Sequence, residues 1–287
     1  MPIPRKVLIR VIGAPLLLAV LGSILYLDYR RQTTLGISSL IVLVAVLSVM
    51  EFNAMCAVRG ISVARAASVV GVAAVMIPWK YIGEIPVWMA DWESWLPFVL
   101  LMYLLGKLVF RYGSFTPEGA GLTLLGFYYI GLLRFVGRPP VQSKWAALYL
   151  LFLLAAGKGS DMAAYVVGKS MGRHKMAPVV SPNKTWEGGI AGGIVGTAAG
   201  FAVLWATPLR GKFEHVPVAA LLFFALVVTI AAQVGDLVKS AFKRWAGVKD
   251  SGRLLPEFGG MIDMVDSFIV AAPVAHFGTE LLRRMYG

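Results

Sequence analysis

A chain of 287 residues that is 58% hydrophobic and only 15% charged is not an ordinary water-soluble domain, in which about a quarter of residues are charged. A mean hydropathy of +0.75 points instead to a protein that spends most of its length inside a bilayer. The net charge of +12 fits cytoplasmic loop bias and attraction to anionic lipid or phosphate, and no nucleic-acid partner is expected.

A membrane-spanning helix takes about 20 mostly apolar residues. Nine stretches are candidates: 7–27, 35–57, 66–82, 95–112, 118–137, 145–168, 188–208, 217–238 and 265–283. Backbone groups in lipid must bond within their own segment, so the expected fold is an all-α polytopic bundle of about nine transmembrane helices. The first run is long enough to span and no small-residue cleavage site follows it, so no cleavable signal peptide is expected. Lys and Arg favour the N-terminal tail and the even-numbered loops, whereas the third loop (82–95, IGEIPVWMADWESW) is acidic and Trp-rich. This asymmetry predicts a cytoplasmic N-terminus, with the charged loops 169–187 and 239–264 on the same side. Residues 1–113 read as Leu/Val/Ala-rich helices with ordinary loop ends, and 114–287 as the part that carries the chemistry. Cys56, the single cysteine, lies in an apolar run without zinc or redox spacing.

The acids come first in that chemistry. Asp236, Asp250, Glu257, Asp263 and Asp266 are five of the chain's 15 acids, and all fall within 233–267. Asp263 and Asp266 are spaced i, i+3 and share a helix face where the last span begins. Asp236 closes the eighth span, and Asp161 lies within the sixth, three residues after Lys158. Charged groups at membrane depth are costly and mark function. Carboxylates at one depth could hold Mg²⁺ together with substrate phosphate, and two such ions could stabilise a displacement at phosphorus. Alternatively, these acids pair with Lys or Arg at a helix boundary.

The bases come next. Lys243, Arg244, Lys249 and Arg253 follow Asp236, and Lys184 sits in SPNKTWEGG. Guanidinium forks and ammonium groups suit phosphate oxygens, and Thr185, Gly188 and Gly189 open a helix N-terminus that favours anions. Topology alone would also explain many cytoplasmic Lys and Arg. Gly259 and Gly260, just before Met261, allow close backbone approach. Gly192, Gly193, Gly196 and Gly200 form a small-residue stripe that reads as helix packing. His215 and His276 are isolated and read as interfacial or packed residues.

On these residues the chain resembles the phosphatidate cytidylyltransferases, or CDP-diacylglycerol synthases. Their C-terminal signature, S-x-x-K-R-x4-K-D-x-G-x3-P-G-H-G-G-x-x-D-R-x-D, is matched at Ser240, Lys243, Arg244, Lys249, Asp250, Gly252, Pro256, Gly259, Gly260, Asp263 and Asp266. An upstream pattern is matched at Asp161, Ala164, Tyr165, Gly168, Gly172, Pro178, Ser181, Pro182, Lys184, Thr185, Glu187 and Gly188. The resemblance is close over about 155–270. Glu257, Phe258 and Met264 replace a Gly, a His and an Arg of the family pattern.

The resemblance implies that a phosphate oxygen of phosphatidate attacks the α-phosphorus of CTP, giving CDP-diacylglycerol and pyrophosphate at the cytoplasmic side of the inner membrane. It implies Mg²⁺, with a possible second ion, held by Asp236, Asp263 and Asp266 with Asp161 nearby. Asp236, Asp263, Asp266 and Lys243 would be catalytic. Lys184, Thr185, Ser181, Arg244, Lys249, Asp250, Gly259 and Gly260 would bind substrate, and a homodimer is suggested. Two other readings are open: a related CTP- or polyprenyl-linked lipid enzyme, and an ion-coupled transporter or channel using the intramembrane acids.

Overall fold

The computed structural model describes residues 5–77, 92–137, 145–252 and 259–287. Most of the acidic third loop, together with Arg253, Pro256, Glu257 and Phe258, lies outside the described residues. The expected helical class is what is found. Ten α-helices and one two-stranded sheet are described: α1 (Arg5–Arg31), α2 (Leu35–Val58), α3 (Arg65–Met76), α4 (Trp92–Phe110), α5 (Pro117–Gly131), α6 (Arg134–Gly137), α7 (Ala146–Met171), β1 (Lys175–Ala177), β2 (Ser181–Thr185), α8 (Trp186–Ala206), α9 (Val218–Ala246) and α10 (Met261–Tyr286). Among the described residues, six segments are long and apolar enough to cross a membrane. The chain is a multi-pass membrane protein.

Three of the expected boundaries move, each for a local reason. Within the span expected at 66–82, α3 ends at Met76, where Ile77 turns extended (ψ 127°), the conformation favoured before a proline, and 78–82 lie outside the described residues. The loop expected at 169–187 contains the antiparallel β1–β2 hairpin, with Lys175 opposite Thr185 and Ala177 opposite Ser181. The loop expected from 239 begins later, because α9 runs on to Ala246. It stops there because Gly247 takes the left-handed conformation (φ +71°) that closes helices. Lys239, Lys243 and Arg244 are therefore helical residues with fixed faces.

The chain divides into two compact units. The first comprises Met1–Gly22, Leu35–Arg138 and Trp245–Met264. The expected partition at 113/114 separated chemistry-poor from chemistry-rich sequence; these units follow packing. In the first unit, α2, α3 and α5 pack through small and hydrogen-bonded residues, as helices in lipid do. A Cβ at Gly126 would lie 2.8 Å from the Phe52 ring, so the α5 backbone rests on that ring. Asn53 Nδ2 donates to Ser68 Oγ (2.9 Å), and the Ala64 amide donates to Thr123 Oγ1 (3.0 Å). Thr116 caps α5 by accepting from the Gly119 amide (3.2 Å), with Pro117 at the first helical position.

The same unit holds a carboxylate that sequence analysis passed over. Glu51, 6% exposed on α2, accepts from the amides of Met261 (2.7 Å) and Ile262 (3.0 Å), and lies 3.0 Å from Ser251 Oγ. It caps the start of α10 from another helix, where a negative charge also meets the positive end of the helix dipole.

The second unit comprises Ser23–Thr34, Pro139–Arg244 and Val265–Gly287. Its central feature is the contact of α7 with α8. Gly188, Gly192, Gly196 and Gly200 recur every fourth residue and are all buried. Added Cβ atoms there would press on Ala164, Ser160, Ala156 and Phe152 of α7. The expected packing stripe is real, but its fourth member is Gly188 and not Gly193, which has nothing within 4 Å of its Cβ position. Tyr149, Phe152, Phe213 and Phe224 fill the core beside it, with Tyr149–Phe152 and Phe152–Phe224 ring centroids 5.9 and 5.4 Å apart.

Two substitutions at neighbouring glycines separate packing from composition. Gly196→Val forces α8 off α7 and destabilises by about 3 kcal/mol or more, whereas Gly193→Ala is neutral or slightly stabilising. Thermal unfolding of the detergent-purified chain reads the difference. In the first unit, Glu51→Ala leaves buried amides of α10 without acceptors and costs about 2 kcal/mol, with Glu51→Gln recovering part of it.

Candidate active site

The hairpin exists to end in a helix cap. Thr185, the last residue of β2, is the N-cap of α8 and accepts from the Gly188 amide (3.2 Å). Glu187, in the first turn of α8, accepts from the His174 amide (3.1 Å) and meets His174 Nδ1 at 2.6 Å. The Trp186 amide donates to the His174 carbonyl (2.9 Å), so hairpin and helix start are locked together. Arg244 on α9 donates from Nε to the Val180 carbonyl (3.2 Å), pinning the hairpin turn next to Ser181.

This lock delivers Lys184 to Asp236. Lys184 Nζ lies 2.5 Å from Asp236 Oδ2, and Lys239 Nζ lies 2.7 Å from Asp236 Oδ1. Lys239 also pairs with Asp266 Oδ2. The other Asp266 oxygen accepts from the Ser267 amide (2.6 Å) and hydroxyl (3.1 Å). Asp266 is 3% exposed and Lys239 9%, whereas Asp236 and Lys184 are partly exposed, so a buried ion pair leads out to a half-buried one. Such an array is stable only when every charge is paired.

Beside it opens a cavity of about 270 Å³ lined by Asp161, Lys184, Thr185, Gly188, Gln233 and Asp236, among others. Gln233 is held by Ser160 Oγ (2.8 Å) and the Gly189 carbonyl (3.0 Å). Asp161 pairs with Lys158 at 3.4 Å, one turn back on α7. Acidic, basic, amide and hydroxyl groups thus meet at one small space, a surface suited to a phosphorylated ligand.

The acid at the start of α10 has its own partners in the first unit. Asp263 Oδ2 accepts from the Ser251 amide (3.1 Å) and the Gly260 amide (3.3 Å), and Ser251 Oγ lies 3.0 Å away. Gly259 takes φ +87°, a conformation that other residues rarely adopt, and so turns the chain into α10. Gly260 is buried so closely against Ser251 and Glu51 that a side chain would not fit.

Of the residues expected from sequence, Asp161, Asp236, Lys184 and Thr185 converge on the cavity, and Asp266 joins Asp236 through Lys239. Lys243 is half-buried, and Lys249 and Asp250 are exposed. Lys239, Gln233, Ser160, Glu51 and Ser251 were not assigned roles from sequence. The signal for Lys239 was its i, i+3 spacing from Asp236; for Glu51 it was a lone acid in an apolar span.

The expected Mg²⁺ finds no ready cage in this arrangement. Each oxygen of Asp236 and Asp266 already accepts from an ammonium, amide or hydroxyl group. Among the described residues, no three His, Cys, Asp or Glu side chains are grouped to hold a metal ion.

Comparison with known proteins places the sequence in a family. The model of the cytidylyltransferase family matches residues 8–282. The phosphatidate cytidylyltransferase of Staphylococcus aureus (strain COL) is 31% identical over 263 residues, covering 90% of this chain and 95% of that protein. That of Staphylococcus saprophyticus is 29% identical over 258 residues, with the same coverage of 90% and 95%. That of Brucella suis biovar 1 is 40% identical over 157 residues, 55% of this chain and 54% of that protein. With the family model matched over nearly its whole length and relatives of about 30% identity covering 90% of it, the chain belongs to the cytidylyltransferase family.

Proposed function

We propose that this protein is a membrane nucleotidyltransferase that converts phosphatidate and CTP to CDP-diacylglycerol and pyrophosphate, for phospholipid synthesis. The observation that carries the reading is the Lys184–Asp236–Lys239–Asp266 array at the edge of a polar cavity, in a chain whose relatives are phosphatidate cytidylyltransferases. The site faces the cytoplasm of the inner membrane, where CTP is present and a lipid head group enters from the bilayer. The Lys- and Arg-rich loops support that orientation.

In the reaction, a phosphate oxygen of the lipid forms a bond to the α-phosphorus of CTP as the bond to the bridging α–β oxygen breaks, and pyrophosphate leaves with that electron pair. No residue of the protein becomes covalent. Catalysis is alignment of two anions and neutralisation of the charge that grows on the leaving group. Lys184 lines the cavity, and Asp236 holds its ammonium group in place. Thr185 fixes the start of α8, whose first-turn amides favour phosphate. Lys243 and Arg244, on the next turns of α9, extend the basic surface toward the triphosphate. Asp161 and Gln233 also line the cavity and favour hydroxyl donors such as those of a ribose. Mg²⁺, expected from the family resemblance, has no place between Asp236 and Asp266 here, where donors already fill the oxygens. Asp263, with Ser251 and the Gly260 amide, fixes the entry to α10.

The test is turnover of radiolabelled CTP and phosphatidate by the purified chain in Mg²⁺-containing buffer. CDP-diacylglycerol forms in the wild type. Lys184→Met lowers kcat/KM by about 10²-fold or more while leaving the melting temperature within a few degrees, because Asp236 keeps Lys239; Asp236→Asn lowers kcat/KM at least as far and also melts lower, because it removes the charge shared by two lysines. A folded wild-type protein that turns over other lipid phosphates but not phosphatidate would overturn the substrate assignment.

A further inference from the structure

We propose that Lys239 is a built-in counter-cation, a tethered ammonium that does at Asp236 and Asp266 the electrostatic work a bridging divalent ion would otherwise do. The idea builds on the reading of these two acids as active-site groups. It adds a positioning residue that nothing in the family pattern assigns.

Three observations lead there. First, Lys239 Nζ reaches both acids, at 2.7 Å from Asp236 Oδ1 and in contact with Asp266 Oδ2. An ion shared by the two carboxylates would have to lie in that same interval. Mg²⁺ seeks oxygen ligands at about 2.0–2.1 Å in near-octahedral array, and an ammonium in the interval excludes it by volume and by charge. Second, the charges balance. Lys184 takes the remaining Asp236 oxygen at 2.5 Å, so two carboxylates face two ammonium groups. A divalent ion added to them would leave excess positive charge in a largely dehydrated place. Third, Lys239 is not free to withdraw. It lies three residues after Asp236 on α9, which fixes both on one helix face, and its side chain is only 11% exposed. The lysine stem is packed among helices with its head at the acids.

A tethered ammonium differs from a bound ion in what it can do. It holds the acids at fixed spacing and balances their charge, but it supplies no exchangeable ligand position. Lys239 therefore positions Asp236, and through Asp236 it positions Lys184 at the cavity wall.

Metal counting tests this independently of catalysis. The full chain is purified in detergent, and bound Mn²⁺ is counted by electron paramagnetic resonance in the wild type, Lys239→Met, Asp266→Asn and the double variant. The expected result is that Asp266→Asn binds as many Mn²⁺ ions as the wild type. Lys239→Met gains a site that the double variant loses. In parallel, Lys239→Met melts several degrees lower in chelator and recovers in millimolar Mg²⁺, while the wild type and Lys239→Arg show no such Mg²⁺-dependent recovery. Loss of a Mn²⁺ site from the wild type on Asp266→Asn would overturn the proposal, as would equal Mn²⁺ binding by the wild type and folded Lys239→Met. If Lys239→Met does not fold, the Asp266→Asn comparison decides alone. The same preparations are assayed for CDP-diacylglycerol. A wild type that is inactive yet shows the expected Mn²⁺ pattern overturns the reaction assignment and leaves Lys239 as the counter-cation.

Discussion

A buried carboxylate, Asp266, and a half-buried one, Asp236, must be neutralised among membrane helices, and the second unit is arranged around that requirement. A lone buried charge costs several kcal/mol, and breaking a buried pair costs about as much. Asp236 and Asp266 meet the requirement with Lys239 from the same face of α9 and Lys184 from the hairpin. Neither lysine arrives by chance. Lys239 needs only helix geometry. Lys184 needs the hairpin to be held, and the hairpin is held at three points: Thr185 on the Gly188 amide, Glu187 on His174, and Arg244 on the Val180 carbonyl. Those points in turn need α8 to lie close to α7, which the buried glycines permit. A packing stripe with no chemistry of its own thus sets where an active-site ammonium can stand.

The first unit solves the same problem by other means. Glu51 and Asp263 are neutralised by backbone amides at the start of α10 and by the hydroxyl of Ser251. Ser251 has one hydroxyl proton and two carboxylate oxygens within reach, so it serves one of them at a time. Four groups that would each be unsatisfied alone satisfy one another. The same contacts account for the two glycines expected there from the motif: Gly252 and Gly260 sit against the Glu51 carboxylate with no room for a side chain.

Much of this was legible in the sequence because it rests on spacing. Helical class followed from apolar run length; Asp161, Lys184 and Thr185 were singled out by one motif and Asp236 by its place at the end of a span, and all four line the cavity, whereas Asp263, expected beside them, has its own partners at the start of α10. What escaped was whatever depended on where a helix stops or on which partner a charge chooses. α3 ends just ahead of Pro78, a boundary legible in hindsight, whereas α9 outran its apolar stretch because nothing before Gly247 breaks it. That extension moved Lys239 from an expected loop onto a helix face and so changed its meaning. Glu51 escaped because it lies 210 residues from its partner Met261, and no local pattern records such a pairing. The glycine stripe is packing, as its spacing implies, but spacing alone does not tell which of the adjacent Gly192 and Gly193 faces α7, nor that Gly188 continues the face into the first turn of α8.

Whether an ammonium can stand where an ion is expected turns on what the reaction asks of that position. A displacement at phosphorus between two anionic reactants needs positive charge held still before the reactants arrive, since reorganising dipoles during the reaction raises the barrier. A lysine locked between two acids meets that need with no dependence on ion concentration. It carries half the charge of a divalent ion, however, and its charge is already committed to its own carboxylates. The net field at the cavity must then come from elsewhere: from Lys184, from Lys243 and Arg244 along α9, and from the amides that open α8. This explains why the basic residues outnumber the acids around the hairpin and the end of α9. It also ties the site to protein rigidity, because a tethered charge acts only at the distance its backbone sets. The glycine contact between α7 and α8 is therefore as much a determinant of the electrostatics as the lysines themselves.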